Sequence, residues 1–173
     1  MKKFRITGVA AREILDCRWN PTVQVDVWVN NEILGRADVP SGRSTGANEA
    51  KELRDGEERY DGMGVRRAVR NVNEILGPEV VDMDVTDQRK IDEKLRALDG
   101  STDKSNLGAN ALAGVSLAVA RAASNAVGVP PVSYTHLRAH ETVLDLVCRL
   151  LLEKKKNKAS NLRLHATADT SFA

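Results

Sequence analysis

The sequence predicts an α+β fold: a three-stranded antiparallel meander followed by a layer of helices. Three observations predict it. Apolar and polar residues alternate through the N-terminal stretch up to Pro40, the period of a half-buried strand. Apolar residues at helical spacing take over from Val65 onward. A glycine- and hydroxyl-rich stretch without apolar periodicity separates the two regimes.

Each element can be justified in order. FRITGVAAREILD opens with alternation and β-branched residues, and NPTVQVDVWV continues it. Val23, Val25, Val27 and Val29 share one face there, with Gln24, Asp26 and Trp28 on the other. Asn30-Asn31 is a turn signal that folds this strand back on ILGRADV. PSGRSTGANEAKELRDG then reads as a long exposed loop. In GVRRAVRNVNEIL, Val65, Val69, Val72 and Leu76 fall on one helical face with arginines opposite. Thr86-Asp87 caps a helix whose apolar positions are Ile91, Leu95 and Leu98. GANALAGVSLAVARAASNAVG is apolar on nearly every face and predicts a central buried helix, stopped by Gly128 and Pro130.

Composition narrows the function classes. The chain has 173 residues, 42% of them apolar and 29% charged, with net charge +2, which suits one soluble globular domain or a fragment of a larger protein. Only 3% are aromatic, against base-stacking platforms and nucleic-acid binding. Cys17 and Cys148 form no CxxC pair, which points to a reducing compartment without a disulfide framework or zinc site. The N-terminus lacks an apolar signal core and no apolar run is long enough to span a bilayer, so a cytoplasmic location and no membrane contact are expected.

Several motifs follow one another in a fixed order: Asp16-Cys17-Arg18-Trp19-Asn20-Pro21-Thr22, Pro40-Ser41-Gly42-Arg43-Ser44-Thr45-Gly46 and Glu52-Leu53-Arg54-Asp55-Gly56. Gly62-Met63-Gly64-Val65, Leu98-Asp99-Gly100-Ser101 and Lys104-Ser105-Asn106-Leu107-Gly108-Ala109-Asn110-Ala111 come after them. Together, from about Arg5 to Pro130, they resemble the N-terminal domain of the enolase (phosphopyruvate hydratase) family. The resemblance implies a magnesium-dependent lyase of glycolysis that turns 2-phosphoglycerate into phosphoenolpyruvate, in a homodimer or larger homo-oligomer. It also implies that the catalytic lysine, the glutamate acid and the carboxylates of the first metal belong to a C-terminal α/β barrel absent from this sequence. No catalytic residue is therefore assigned here, and the chain by itself is expected to be inactive.

The candidate site is the loop Ser41, Gly42, Arg43, Ser44, Thr45, Gly46. Its glycines allow close backbone approach to a ligand and its hydroxyls offer hard oxygen donors. Magnesium takes such oxygens and shares them with an anionic substrate. By the family resemblance, Ser44 is the metal ligand, capping a second magnesium when the loop closes over substrate. Read without that resemblance, the loop is an ordinary Gly/Ser turn. Asp82, Asp84, Asp87 and Asp92 read as helix-cap and solvated-face charges.

The chain departs from the family pattern in places. Cys17 and Trp19 stand where a serine and a glycine are usual, and Trp19 implies a changed backbone angle at that corner. Arg43 replaces an alanine: either a solvated arginine or an added cation near the substrate's acid groups. Arg12 matches an arginine that pairs across the family's dimer interface, while Gln24 replaces a glutamate nearby. A divergent paralogue acting on another acid is the alternative these changes raise.

The C-terminal stretch has a different character. All of the histidines, His136, His140 and His165, lie there. Back-translated, Pro131–Thr142 resembles a transposase sequencing-library adaptor in frame, and Leu146–Lys156 resembles the flow-cell end of that adaptor followed by a run of A. The expected division is thus 1–131 as an enolase N-terminal-like domain and 132–173 as an artefactual tail. The competing reading is a genuine small binding module. Its basic amphipathic helix would carry Val143, Leu144, Val147, Leu150 and Leu151 before the lysines.

Overall fold

A computed structural model of the chain describes residues 4–42, 46 and 49–138. Residues Met1–Tyr134 form one compact unit; of the second, Thr135–Ala173, only the end of one helix is described. Strands β1 (Ile6–Leu15), β2 (Pro21–Val29) and β3 (Ile33–Asp38) form an antiparallel sheet in the order β1-β2-β3. The expected meander is present. Asn30 and Asn31 are both left-handed (φ 52° and 60°), and Glu32 N–H donates to the Val29 carbonyl at 3.1 Å. That is a type I′ turn, whose twist matches the flanking strands.

Helices α1 (Arg66–Asn71), α2 (Gly77–Val80) and α4 (Ala109–Val127) lie on the sheet, α3 (Gln88–Asp99) packs against α4, and α5 (Pro131–Arg138) follows. Where the periodicity predicts a single helix over GVRRAVRNVNEIL, a π-helical turn at Val72–Leu76 joins α1 to α2. The widened turn is placed where Asn73 meets the free edge of β1. Its Oδ1 accepts from Ala11 N–H at 2.7 Å and its Nδ2 donates to the Ala11 carbonyl at 3.2 Å. One side chain thus satisfies both backbone groups of an edge residue. Farther along that edge, residues 82–85 add a short strip: Ile6 N–H bonds Met83 O and Val85 N–H bonds Phe4 O.

Asp87 caps α3 through the Lys90 amide at 3.4 Å, left-handed Gly128 ends α4 as its sequence predicts, and left-handed Gly100 ends α3 in the same way. Asp84 accepts from Thr86 and Asp92 from Gln88, the local roles expected of these acids. The expected domain boundary after Pro131 falls inside α5, whose Tyr134 is buried with the core.

The core lies between sheet and helices. Val23, Val25, Val27 and Val29 are fully buried and face Ala111, Val115, Ala118, Val119 and Ala122 of α4, together with Val65, Val72, Leu76 and Ile91. Small residues let α4 approach the sheet backbone. A Cβ built on Gly35 would sit 2.3 Å from Ala122 N and 2.4 Å from Ala118 O, and one on Gly114 would sit 2.7 Å from Val25. Among the described residues no helix is long and apolar enough to cross a membrane.

The opposite face of β2 is more enclosed than simple alternation predicts. Asp26 retains only 2% exposure. Arg36 reaches it with Nε at 2.6 Å and Nη2 at 2.9 Å, and Arg12 Nη2 adds a bond at 2.7 Å. β2 is the central strand, so long arginine side chains from both neighbours close over it. The Arg36 hydrogen bonds hold the Asp26 carboxyl below its usual range against the opposing effect of burial, with Arg12 reinforcing them.

Two predictions follow from this packing. Gly35→Ala drives a methyl into the α4 backbone and should lower unfolding free energy by about 3 kcal/mol in urea denaturation; an unchanged midpoint would refute the contact. Asp26 has a folded pKa below its unfolded value of about 4. Its contribution is therefore complete above about pH 4 and fades as pH falls toward the folded value. Asp26→Asn should cost about 1–3 kcal/mol at neutral pH and flatten the acid limb of the stability curve, measured by denaturation at stepped pH.

Candidate functional site

The loop after β3 begins at a firmly held point. Val39 N–H donates to Val23 O at 2.9 Å and Thr22 Oγ1 donates to Val39 O at 2.7 Å, so the chain leaves the sheet in a fixed direction. Ser41 is held from two sides. Arg18 Nη2 donates to its carbonyl at 2.8 Å. Arg54 Nη2 donates to its Oγ at 3.1 Å, and that hydroxyl donates in turn to Glu52 Oε2 at 3.2 Å.

Arg54 is the hub of this corner. Its Nη1 donates to Pro21 O at 2.7 Å and Met63 O at 2.8 Å, while Nη2 also pairs with Glu52. One planar guanidinium thereby joins the start of β2, the loop foot and the turn at Arg59–Gly62, which a lysine's single ammonium could not do.

The Glu52–Asp55 strip is itself clamped. Buried Asn110, near the start of α4, accepts from Leu53 N–H at 3.0 Å and donates to Leu53 O at 3.1 Å. Gly108 is left-handed at φ 99°, and a Cβ there would lie 2.5 Å from Leu53 Cβ. Asp55 then takes the Arg66 and Arg67 amides at 3.0 and 2.9 Å, capping α1 from outside its own helix. Asp99 organises the neighbouring loop by accepting from Leu107 N–H at 2.8 Å and Ser101 N–H at 3.0 Å. Burial pushes its carboxyl upward, but these donors and Lys104 outweigh that and hold it below its usual range.

The β1–β2 connection supplies Arg18. Asp16 Oδ1 accepts the Asn20 and Arg18 amides at 2.9 and 2.8 Å, and its Oδ2 meets the Arg18 side chain at 3.2 Å. The Asn20 amide is the largest of the causes that lower the Asp16 pKa. Trp19 is a non-glycine residue at a positive-φ position of this corner. It adopts the left-handed φ of 64° that favours glycine, and its ring goes to solvent at 79% exposure. Arg12, matched by resemblance to an interface arginine, bonds Gln24 at 2.6 Å and Asp26 at 2.7 Å within its own chain.

Of the candidate loop, the structure describes Ser41, Gly42 and Gly46; Arg43, Ser44 and Thr45 lie outside the described residues. Gly42 and Gly46 are exposed. Gly46 N–H donates to Glu49 Oε2 at 2.8 Å. His140, His165 and Cys148 are also outside the described residues, while Cys17 is free and exposed. Among the described residues no three His, Cys, Asp or Glu side chains are placed to hold a metal ion. What the arrangement provides is a rigid foot for a loop of hydroxyls and glycines.

In the sequence the motifs holding Arg18, Glu52 and Arg54 carry the family resemblance but no sign of a role at Ser41. The i, i+2 spacing of Glu52 and Arg54 was a usable signal, because in extended chain it places both on one side. Nothing in the local pattern tied either to Ser41.

Comparison with known proteins fits this geometry. The family model described as "Enolase, N-terminal domain" matches residues 6–136. The enolase of Thermococcus kodakarensis is 63% identical over 131 residues, 76% of this chain and 30% of that protein. Those of Pyrococcus furiosus and Methanopyrus kandleri are 60% and 58% identical, over 76% and 75% of this chain and 30% of each protein. The chain thus spans about 30% of the length of these curated relatives.

The geometry at Trp19 generates a prediction. A left-handed non-glycine residue costs about 1–2 kcal/mol, and the exposed ring recovers little of it. Trp19→Gly removes that cost but adds about 0.5–1 kcal/mol of backbone entropy. The variant should therefore be more stable by up to about 1 kcal/mol in thermal or urea unfolding. A clear loss would show that the indole packs where the structure leaves it in solvent.

Proposed function

Since this chain belongs to the enolase family through its N-terminal domain, we propose that it is the loop-bearing portion of a magnesium-dependent lyase converting 2-phosphoglycerate to phosphoenolpyruvate. The observation that carries the proposal is the anchored foot at Ser41, held by Arg18, Glu52 and Arg54 directly beyond the sheet. A loop that opens and closes over an anionic substrate needs a fixed end from which to swing. Ser41 supplies that end, and the sequence beyond it carries two glycines and two hydroxyl residues up to Gly46.

The donor set fits a supporting place at a metal and not a full cage. Ser41 Oγ is already engaged as donor and acceptor, which leaves the hydroxyls of Ser44 and Thr45; by the family resemblance Ser44 is the one that reaches the cation. Bound magnesium would supply electrostatic stabilisation of the charge that develops on the substrate acid during proton removal. In this reading the residues of this chain orient the loop and exclude water once it closes, while the proton-transfer groups lie in the remainder of the parent enzyme. That parent is a cytoplasmic homodimer or larger homo-oligomer. Arg12, still half exposed, stands on the outer face of the sheet to serve such an assembly.

The test is Ser44→Ala in the full-length parent enzyme. Loss of the closing ligand should lower kcat about 10²-fold and raise the magnesium concentration needed for half-maximal rate. An unchanged kcat together with an unchanged magnesium dependence would remove Ser44 from the site and the loop from the mechanism.

A further inference from the structure

Away from the Ser41 corner, β1 and α1 enclose a groove of about 370 Å³ lined by Glu13, Arg59, Arg66, Val69, Arg70, Asn73 and Glu74. Its charged lining is three arginines and two glutamates. Asn73 is consumed by the Ala11 backbone. Glu13 is occupied too, accepting from Arg59 Nη2 and from Val65 N–H at 2.9 Å. The Arg59 hydrogen bond is the main cause that holds the Glu13 carboxyl below its usual range. Glu13 is paired chiefly with Arg59 and also feels the charge of Arg66, and Glu74 is the second carboxylate of the lining beside Arg66 and Arg70.

Two further features distinguish the groove from an ordinary charged surface. Arg66 and Arg70 stand four residues apart on one helix, a like-charge spacing that weakens a helix unless something compensates. Arg59 Nη1 is buried and finds no hydrogen-bond partner among the described residues, a costly state for a charged donor. Three arginines thus line one cleft, one of them with a buried N–H to spare, and Val69 adds an apolar wall.

We infer that this groove is a binding site for a small phosphate-bearing anion, held by Arg59, Arg66 and Arg70. Guanidinium groups match phosphate oxygens in geometry as well as charge. A metal cation would be repelled by them. A carboxylate has two oxygens to share among three arginines, whereas a phosphate offers more oxygens and more negative charge. The site does not rest on the loop at Ser41 and stands or falls separately from it.

The experiment is calorimetric titration of the full chain with inorganic phosphate, glycerol phosphate and acetate in separate arms at constant ionic strength. Saturable binding of phosphate or glycerol phosphate, but not acetate, is expected, and the stronger of the two shows whether the ligand is inorganic or organic. Arg66→Gln with Arg70→Gln should weaken binding at least about tenfold while circular dichroism remains native. Should that pair fail to fold, Arg70→Gln alone reports the same loss in smaller measure. Glu74→Gln, which removes the opposing carboxylate, should tighten binding about threefold. Equal binding of acetate, undiminished binding by the arginine variants, or weaker binding by Glu74→Gln would overturn the assignment.

Discussion

The structure depends on how closely α4 lies on the sheet. Gly35 in β3 and Gly114 in α4 remove the side chains that would hold the layers apart, so the Ala118–Ala122 backbone rests almost on the strand. Dispersion and apolar burial fall off steeply with separation, and the four valines of β2 are fully buried only because α4 comes this near. A domain with so few aromatic side chains has no bulky residue to fill a wider gap. Close approach substitutes for volume.

The candidate site inherits its geometry from that contact. Fixing α4 fixes Asn110 near its first turn, and Asn110 holds both backbone groups of Leu53. Leu53 lies between Glu52 and Arg54, whose side chains grip the hydroxyl of Ser41. A packing constraint between a helix and a strand is transmitted through two successive sets of hydrogen bonds to the foot of a surface loop. Every link is a partly or fully buried polar group, and such groups are costly to leave unpaired. The loop foot is therefore specified even though the loop itself consists of small polar residues.

Charge is handled consistently across the domain. Asp26, Glu13 and Asp99 are each shielded from water and each meets cationic or amide donors that keep it ionised. The balance differs at the β1–α1 groove, where the same pairing that satisfies Glu13 leaves guanidinium capacity unused. In a chain of net charge +2 this local excess of donors does not reflect the overall composition.

Much was legible in the sequence. Alternation determined the strands, Asn30-Asn31 the left-handed hairpin turn, Asp87 the α3 cap, and Gly128 with Pro130 the end of α4. All of these are local and depend on backbone preferences within a few residues. The ordered motifs also placed the candidate loop between β3 and the helices. Only the tertiary structure decided that Asp26 would be enclosed, because the arginines covering it come from two other strands. It alone brought Arg18 and Arg54 to Ser41, inserted the π turn that gives Asn73 to β1, and gathered three arginines around one cleft. Those arrangements join residues far apart in the chain, and periodicity carries no information about which distant partner a buried polar group will find.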